Sequence, residues 1–503
     1  MFFLFIIKSP ATIFPCKFQP EKTTKIMHES RNLGIIGLLY FDCLIHSTLI
    51  FGWSSISVIL TSQGFYSQSS QSHNATEQCS TSSGGSEGGG DPLSQILVMS
   101  TGLLGIFLLV FGLIRDFVAY GLCRLLCYCF LVASYTMMLL ATPGETDYLQ
   151  FSWVLHYAAG IGIFLNSMQF FGLYPAYVGT LTGVCNSLLA ICSLIPQLWL
   201  TVVVKWQLVS YETVLSVWLA ASVVSMLVGL FIVPWNNMPQ DVSTATNDDF
   251  ATLFQIVKTK KPIIKQSESF VKQLKGSAAL LKSPIFIVHV IMFASGNCTT
   301  TLSLNFVNRI MCSAVGTDQF GPLQSRFELI RATGDFLLCP MIGFMADKSM
   351  VYWTKRNGAH DVQKTLVPYT MIFVANIVFM VGLLGLQSLG IWPFLIGLTL
   401  CMGQIYMFET IGCSINFPAD AQGVIFALVE LIGALFAFIQ IPIIKLVDAG
   451  NSYQPYIYFE MAMFALIIAC LPVLLLIGNE NAFFWYYYIL RLQKITAMAG
   501  KTG

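Results

Sequence analysis

Residues 112–124, GLIRDFVAYGLCR, and residues 339–349, CPMIGFMADKS, carry one phrase twice. Gly112, Asp116 and Arg124 follow one another at spacings of four and then eight, and Gly343 and Asp347 repeat the spacing of four. Each phrase closes an apolar stretch. A glycine lets two membrane helices approach closely, and an aspartate one turn later stands at the mouth of the span with a basic residue beyond it. Repeated at corresponding places, the pattern implies two related halves that meet at a carboxylate-held gate. Gly112, Asp116, Arg124, Gly343 and Asp347 are therefore the expected gating residues.

Composition agrees with a chain built for lipid. Hydrophobic residues make up 55% and charged residues 10% of 503 positions, and mean hydropathy is +0.71. Soluble chains carry roughly 25% charged residues. The net charge of +1 does not point to nucleic acid, because the Lys and Arg fall in short loops. Fourteen cysteines, most of them inside apolar stretches, show no metal-ligand spacing and read as small buried hydrophobes.

A span of about 20 apolar residues crosses roughly 30 Å of hydrocarbon. Twelve such spans are expected, at 33–60, 93–114, 121–141, 148–173, 179–204, 211–233, 284–310, 321–345, 366–388, 390–410, 418–446 and 455–478. The fold class is thus an all-α membrane protein of two six-helix halves, 33–233 and 284–478. A cytoplasmic N-terminal segment (1–32), a polar linker (234–283) and a tail (479–503) complete the chain.

With the N-terminus inside, 21 of the 26 Lys and Arg lie on the inner side, which fixes both termini as cytoplasmic. The first outer segment, 61–92, is rich in Ser and Gly and has no Lys or Arg. It holds Asn74-Ala75-Thr76, a glycan acceptor on the correct side. A second acceptor sequence at Asn297 falls inside a span and is expected to stay unmodified. The opening MFFLFIIK is too short to span and lacks a basic leader, so it is not read as a cleaved signal. The linker alternates Lys with apolar residues, as in segments that lie on an anionic leaflet or in a solvated linker, and Phe483 to Tyr488 reads as an aromatic belt.

Several stretches together resemble a known family. They are Asp42-Cys43, Phe51-Gly52-Trp53-Ser54 and Gly64-Phe65-Tyr66-Ser67, then the Asp116 to Arg124 string, Phe171-Gly172 and the Gly343 to Asp347 turn. Phe417-Pro418-Ala419-Asp420, Gly423, Ala434-Leu435-Phe436-Ala437, Gln440 and Pro442 continue the order. Over about residues 35–478 the chain resembles the facilitative large neutral amino acid transporters of system L, in the major facilitator superfamily, whose sister group carries purine nucleobases. The resemblance implies the major facilitator fold, with spans four, seven and ten lining a cavity. It has no counterpart for Arg326, Glu328, Arg331 and Asp335 in the eighth span or for Glu430 in the eleventh.

Those charges need partners or water, because an ionisable group within a span costs at least ~2.5 kcal/mol on insertion scales. Asp42 and His46, one turn apart, could accept a substrate amine and relay a proton, or could simply join helices. Arg331 and Asp335 stand at i and i+4, with Glu328 one turn earlier. They form an ion pair or, if the pair opens, a guanidinium fork for a substrate carboxylate. Glu430 has no partner on its own helix, so it either meets Arg331 or carries a proton. Asn166, Asn297 and Gln404 complete the candidate substrate-binding set, against the common role of amides as glue between helices.

No Walker string, HExxH or GxSxG occurs, and the largest inner segment is near 50 residues. No catalysis, cofactor or metal is expected. The expectation is a plasma-membrane carrier, acting as a monomer in the bilayer, that moves a large neutral amino acid by alternating-access facilitated diffusion. A purine nucleobase or a proton-coupled organic solute is the alternative substrate class. A non-transporting receptor or scaffold is the alternative of another kind.

Overall fold

A computed structural model describes residues 24–46, 49–65, 92–143, 146–171, 177–232, 281–354, 365–417, 422–450 and 452–477. Asn74, the lysines between 258 and 275, and Phe483 to Tyr488 lie outside the described residues.

The described residues are helical throughout and contain no strand. The N-terminal helices are α1 (Thr24–His46), a 3-10 turn (Leu49–Gly52), α2 (Trp53–Ser62), α3 (Pro92–Phe117), α4 (Tyr120–Leu140) and α5 (Thr146–Phe171). They continue with α6 (Val178–Cys192), α7 (Leu194–Trp199), a π-helical turn (Leu200–Lys205) and α8 (Tyr211–Ile232). The C-terminal helices are α9 (Pro284–Val315), α10 (Thr317–Thr354), α11 (Leu366–Leu384), α12 (Leu386–Leu389) and α13 (Trp392–Asn416). The last are α14 (Gln422–Ala437), α15 (Gln440–Gly450) and α16 (Gln454–Ile477).

Eleven helical segments among the described residues are long and apolar enough to cross a membrane. The twelfth expected span, 33–60, is not one helix. It is broken between α1 and α2, leaving the shorter apolar pieces Gly34–His46 and Trp53–Ser62. Gly52, at the end of the 3-10 turn, explains part of the break. A Cβ there would lie 2.6 Å from Pro196 Cγ and 2.7 Å from the Ser193 carbonyl, so the turn sits where only glycine fits against α7. The chain divides into two compact units, residues 1–39 and 40–503. Thr24–Leu39 is the helical part of the first; everything below concerns the second.

Association of these helices rests on close backbone approach, because lipid tails are as apolar as the side chains that would otherwise be buried. Large apolar groups such as Phe231, Val217 and Tyr458 are accordingly exposed on the outside. The interior is packed by aromatic rings, among them Trp153, Tyr157, Phe293, Phe306, Phe394 and Phe426. Where α3 meets α14, a Cβ on Gly112 would lie 2.4 Å from the Gly423 carbonyl. Where α10 meets α6, a Cβ on Gly343 would lie 2.1 Å from the Gly179 carbonyl. α10 is the longest helix, with Pro322 and Pro340 inside it. It faces α6 over much of its length.

Candidate substrate cavity and gates

Both aspartates of the repeated phrase close on the N-terminus of a helix from the opposite half. Asp116 Oδ2 accepts the Val424 N–H at 2.8 Å, at the start of α14. Asp347 accepts the N–H groups of Gly179 (2.7 Å) and Thr180 (2.8 Å) and the Thr180 hydroxyl (2.6 Å), at the start of α6. The first N–H groups of a helix have no partner within it and carry the positive end of its dipole. A carboxylate answers both needs, and the glycine one turn before it lets the backbones come near enough. Arg115 shares the first contact: its Nε lies 3.0 Å from Asp116 Oδ1, and its Nη1 donates to the Leu165 carbonyl at 3.1 Å.

Arg124, read from the sequence as the basic end of the first turn, lies elsewhere. It is ion-paired with Asp42 and donates to the Tyr128 hydroxyl at 3.1 Å, while Tyr128 donates to Asp42 Oδ2 at 2.7 Å. His46 Nε2 is 3.0 Å from the Ser225 hydroxyl. Asp42 and His46 thus sit among α1, α4 and α8. Asn166 Nδ2 is turned to the Gly162 carbonyl of its own helix and to Cys123 Sγ. Asn297 is buried on α9 facing Gly433 of α14, and Gln404 is buried on α13 with Nε2 unpartnered.

The eighth span brings its charges together differently from the i, i+4 expectation. Arg331 pairs with Glu328, using Nε (3.1 Å) and Nη2 on the same oxygen, Oε2. The other Glu328 oxygen accepts from the Ser54 hydroxyl of α2, and Gln324 Nε2 donates to the Ser54 carbonyl at 3.2 Å. Glu328 is therefore held from both halves, which settles it, rather than Asp335, as the partner. Asp335 Oδ1 is buried and has no hydrogen-bond partner among the described residues.

Between these contacts lies a small cavity. It is lined by Asn186, Leu189 and Ala190 from α6, Arg331 and Asp335 from α10, and Met402, Gly403 and Tyr406 from α13. Along α10, Glu328 and Asp347 are nineteen residues apart, or about 28 Å at helical rise. The helix is thus tied to the N-terminal half on either side of the cavity. At the cavity's edge the hydroxyls of Tyr157 and Tyr406 meet at 3.0 Å, joining α5 to α13.

Two acidic residues escaped the sequence reading. Glu409 of α13 is a near neighbour of Glu430 of α14, so Glu430 meets a second acid rather than Arg331. Glu460 is buried on α16 with both oxygens unpartnered by the described residues. An acid inside an apolar span was signal enough to find both. No cluster of His, Cys, Asp and Glu able to hold a metal occurs among the described residues.

Comparison with known proteins bears on the fold alone. No family model matches the chain, and no curated protein matches it in sequence. The crystal structure of the human organic anion transporter MFSD10 (TETRAN) superposes with a TM-score of 0.51 at 12% identity, over 89% of this chain and 100% of that one. The chain has the fold of the major facilitator transporters. A variant of the Escherichia coli fucose:proton symporter FucP matches with a TM-score of 0.47 at 12% identity, over 88% of this chain and 99% of that one.

Proposed function

We propose that this chain is a carrier that moves large neutral amino acids across a membrane by alternating access, as facilitated diffusion. The observation that carries the reading is the cavity between α6, α10 and α13. It combines one guanidinium, one carboxylate and an apolar wall of Leu189, Ala190 and Met402. A zwitterion with an apolar side chain matches that set. A neutral purine would leave the Asp335 carboxylate buried without a counter-charge, which costs several kcal/mol. Asp116 and Asp347 act as the gate on one side, and Ser54, Gln324 and Glu328 hold the other. In this reading the gate aspartates face the cytoplasm with both termini, and the membrane is the plasma membrane.

Uptake of labelled leucine, phenylalanine and adenine into vesicles carrying the full chain tests it. Saturable uptake of the two amino acids, absent from vesicles without the chain, is expected. Saturable adenine uptake without amino acid uptake would replace the reading with the nucleobase one. A second reading, proton-coupled transport, draws support from Glu409 and Glu430. Two neighbouring buried carboxyls, with no cation paired to either among the described residues, are an arrangement that can hold a shared proton. The same uptake with and without a pH gradient separates it: facilitated diffusion predicts no accumulation above the external concentration in either condition.

A further inference from the structure

The cavity holds more unsatisfied acceptors than a carboxylate-binding site needs. Arg331, which lines the cavity, spends Nε and Nη2 on Glu328, which leaves Nη1 uncommitted among the described residues. One turn further along the same face, Asp335 brings a carboxyl whose Oδ1 no donor among the described residues satisfies. Across the cavity on α6, Asn186 is also half satisfied. Its Nδ2 donates to the Thr182 carbonyl at 3.0 Å, which orients the amide, and its Oδ1 is buried without a partner. Asn186 and Asp335 are only 3% exposed. Buried acceptors left open are costly, and natural interiors rarely leave two lining one small cavity.

We infer that Asp335 and Asn186 together form the ammonium pole of the substrate site, and that this pole makes a free α-amino group a requirement for transport. The inference rests on the amino-acid reading above and adds the residues that read the amine. An ammonium has three N–H donors and a full positive charge. Asp335 supplies the counter-charge, Asn186 a second acceptor, and the two come from opposite halves of the molecule. The substrate carboxylate, two bonds from the ammonium, then falls to Arg331 one helical turn away. Gly403 makes room for the Asp335 carboxyl: a Cβ there would lie 2.1 Å from Asp335 Oδ1. An anion without an amine is rejected, because it would enter beside an uncompensated carboxylate. An amine without a carboxylate leaves Arg331 Nη1 unanswered.

The test uses the full chain in proteoliposomes and three probes of one shape: leucine, 4-methyl-2-oxopentanoate, which replaces the amine by a ketone, and 3-methylbutylamine, which lacks the carboxylate. The parent should carry leucine at least tenfold better than either analogue. Asp335→Asn should lower leucine uptake tenfold or more and raise the ratio of oxo acid to leucine by a similar factor, since the repelling charge is gone while Arg331 stays. Asn186→Leu removes one neutral acceptor and should weaken leucine three- to tenfold without admitting the oxo acid. Asp335→Glu, which keeps the charge, should still exclude the oxo acid.

If the parent carries leucine and Asp335→Asn leaves both affinity and selectivity unchanged, the ammonium pole is wrong while the carrier reading stands. If Asp335→Asn does not reach the membrane, unchanged leucine uptake by Asn186→Leu overturns the pole just as well. If the parent carries none of the three probes, the amino-acid reading itself falls and the pole with it.

Discussion

Asp116 and Asp347 fill matching places in the repeated phrase, yet they hold their helices with different chemistry. Asp116 accepts the Val424 N–H of α14 and shares its charge with Arg115, which is 1% exposed. Asp347 has two backbone donors and a hydroxyl from α6. The first is a buried ion pair that also touches the far half. The second is a helix cap supplied from outside the helix. A contact of the first kind is expensive to cut, because the partner is left charged in an apolar interior. A contact of the second kind can be released into water at modest cost. The difference suggests that, of the two gate contacts, α10 on α6 is the easier to open and α3 on α14 the harder.

Asp116→Asn is expected to have the largest effect. It strands Arg115, and breaking a buried pair from one side costs about 3–5 kcal/mol. Thermal unfolding of the purified protein should shift markedly downward, and the double change Arg115→Gln with Asp116→Asn should recover much of the loss. Asp347→Asn keeps one acceptor oxygen but loses the charge, at about 1.5–3 kcal/mol. It should leave the protein folded and expose cysteines introduced on that side of the cavity to labelling. Equal stability losses in the two variants would erase the distinction drawn above.

The glycines sharpen the same contrast. Gly343→Ala would push a methyl group into the Gly179 backbone, which no side-chain rotation relieves. The cost is about 1–3 kcal/mol, and it should favour the same open state as Asp347→Asn. Thr180→Val removes only the hydroxyl donor, about 0.5–1.5 kcal/mol, and should raise labelling slightly. Which side of the membrane these turns face is settled by the glycan. Asn74→Gln should remove a glycan-sized mass from protein made in a eukaryotic cell, and Asn297→Gln should change nothing. A glycan at Asn297 would invert or break the topology on which the gate assignment depends.

The spans were legible in the sequence because a run of 20 apolar residues has few other uses. The pairing of the two Gly-x-x-x-Asp turns was legible as a repeat, but their targets were not. Nothing in the spacing says that Asp116 reaches Val424 or Asp347 reaches Gly179, since those contacts come from packing two halves. The eighth span shows the limit most clearly. Glu328 at i−3 and Asp335 at i+4 are both within reach of Arg331, and spacing alone cannot choose. Ser54, 274 positions away from Glu328, breaks the tie by holding it. Asp42 looked like a cavity residue for the opposite reason: its partner Arg124 is 82 positions off. Asn186 carried no signal at all, because an amide in an apolar helix is usually glue.

Pro340 gives α10 a mechanical property that its length conceals. A proline has no N–H to offer the carbonyl four residues back, so the helix is weakest between Phe336 and Pro340. Asp335 and Arg331 lie on one side of that weak turn, Gly343 and Asp347 on the other. From Pro340 to Asp347 the lever arm is seven residues, about 10 Å. A bend of about 20° there carries the carboxylate some 3–4 Å. That is more than the slack in hydrogen bonds of 2.6 to 2.8 Å. A swing of the end that grips α6 would therefore break that grip while the end that lines the cavity stays still.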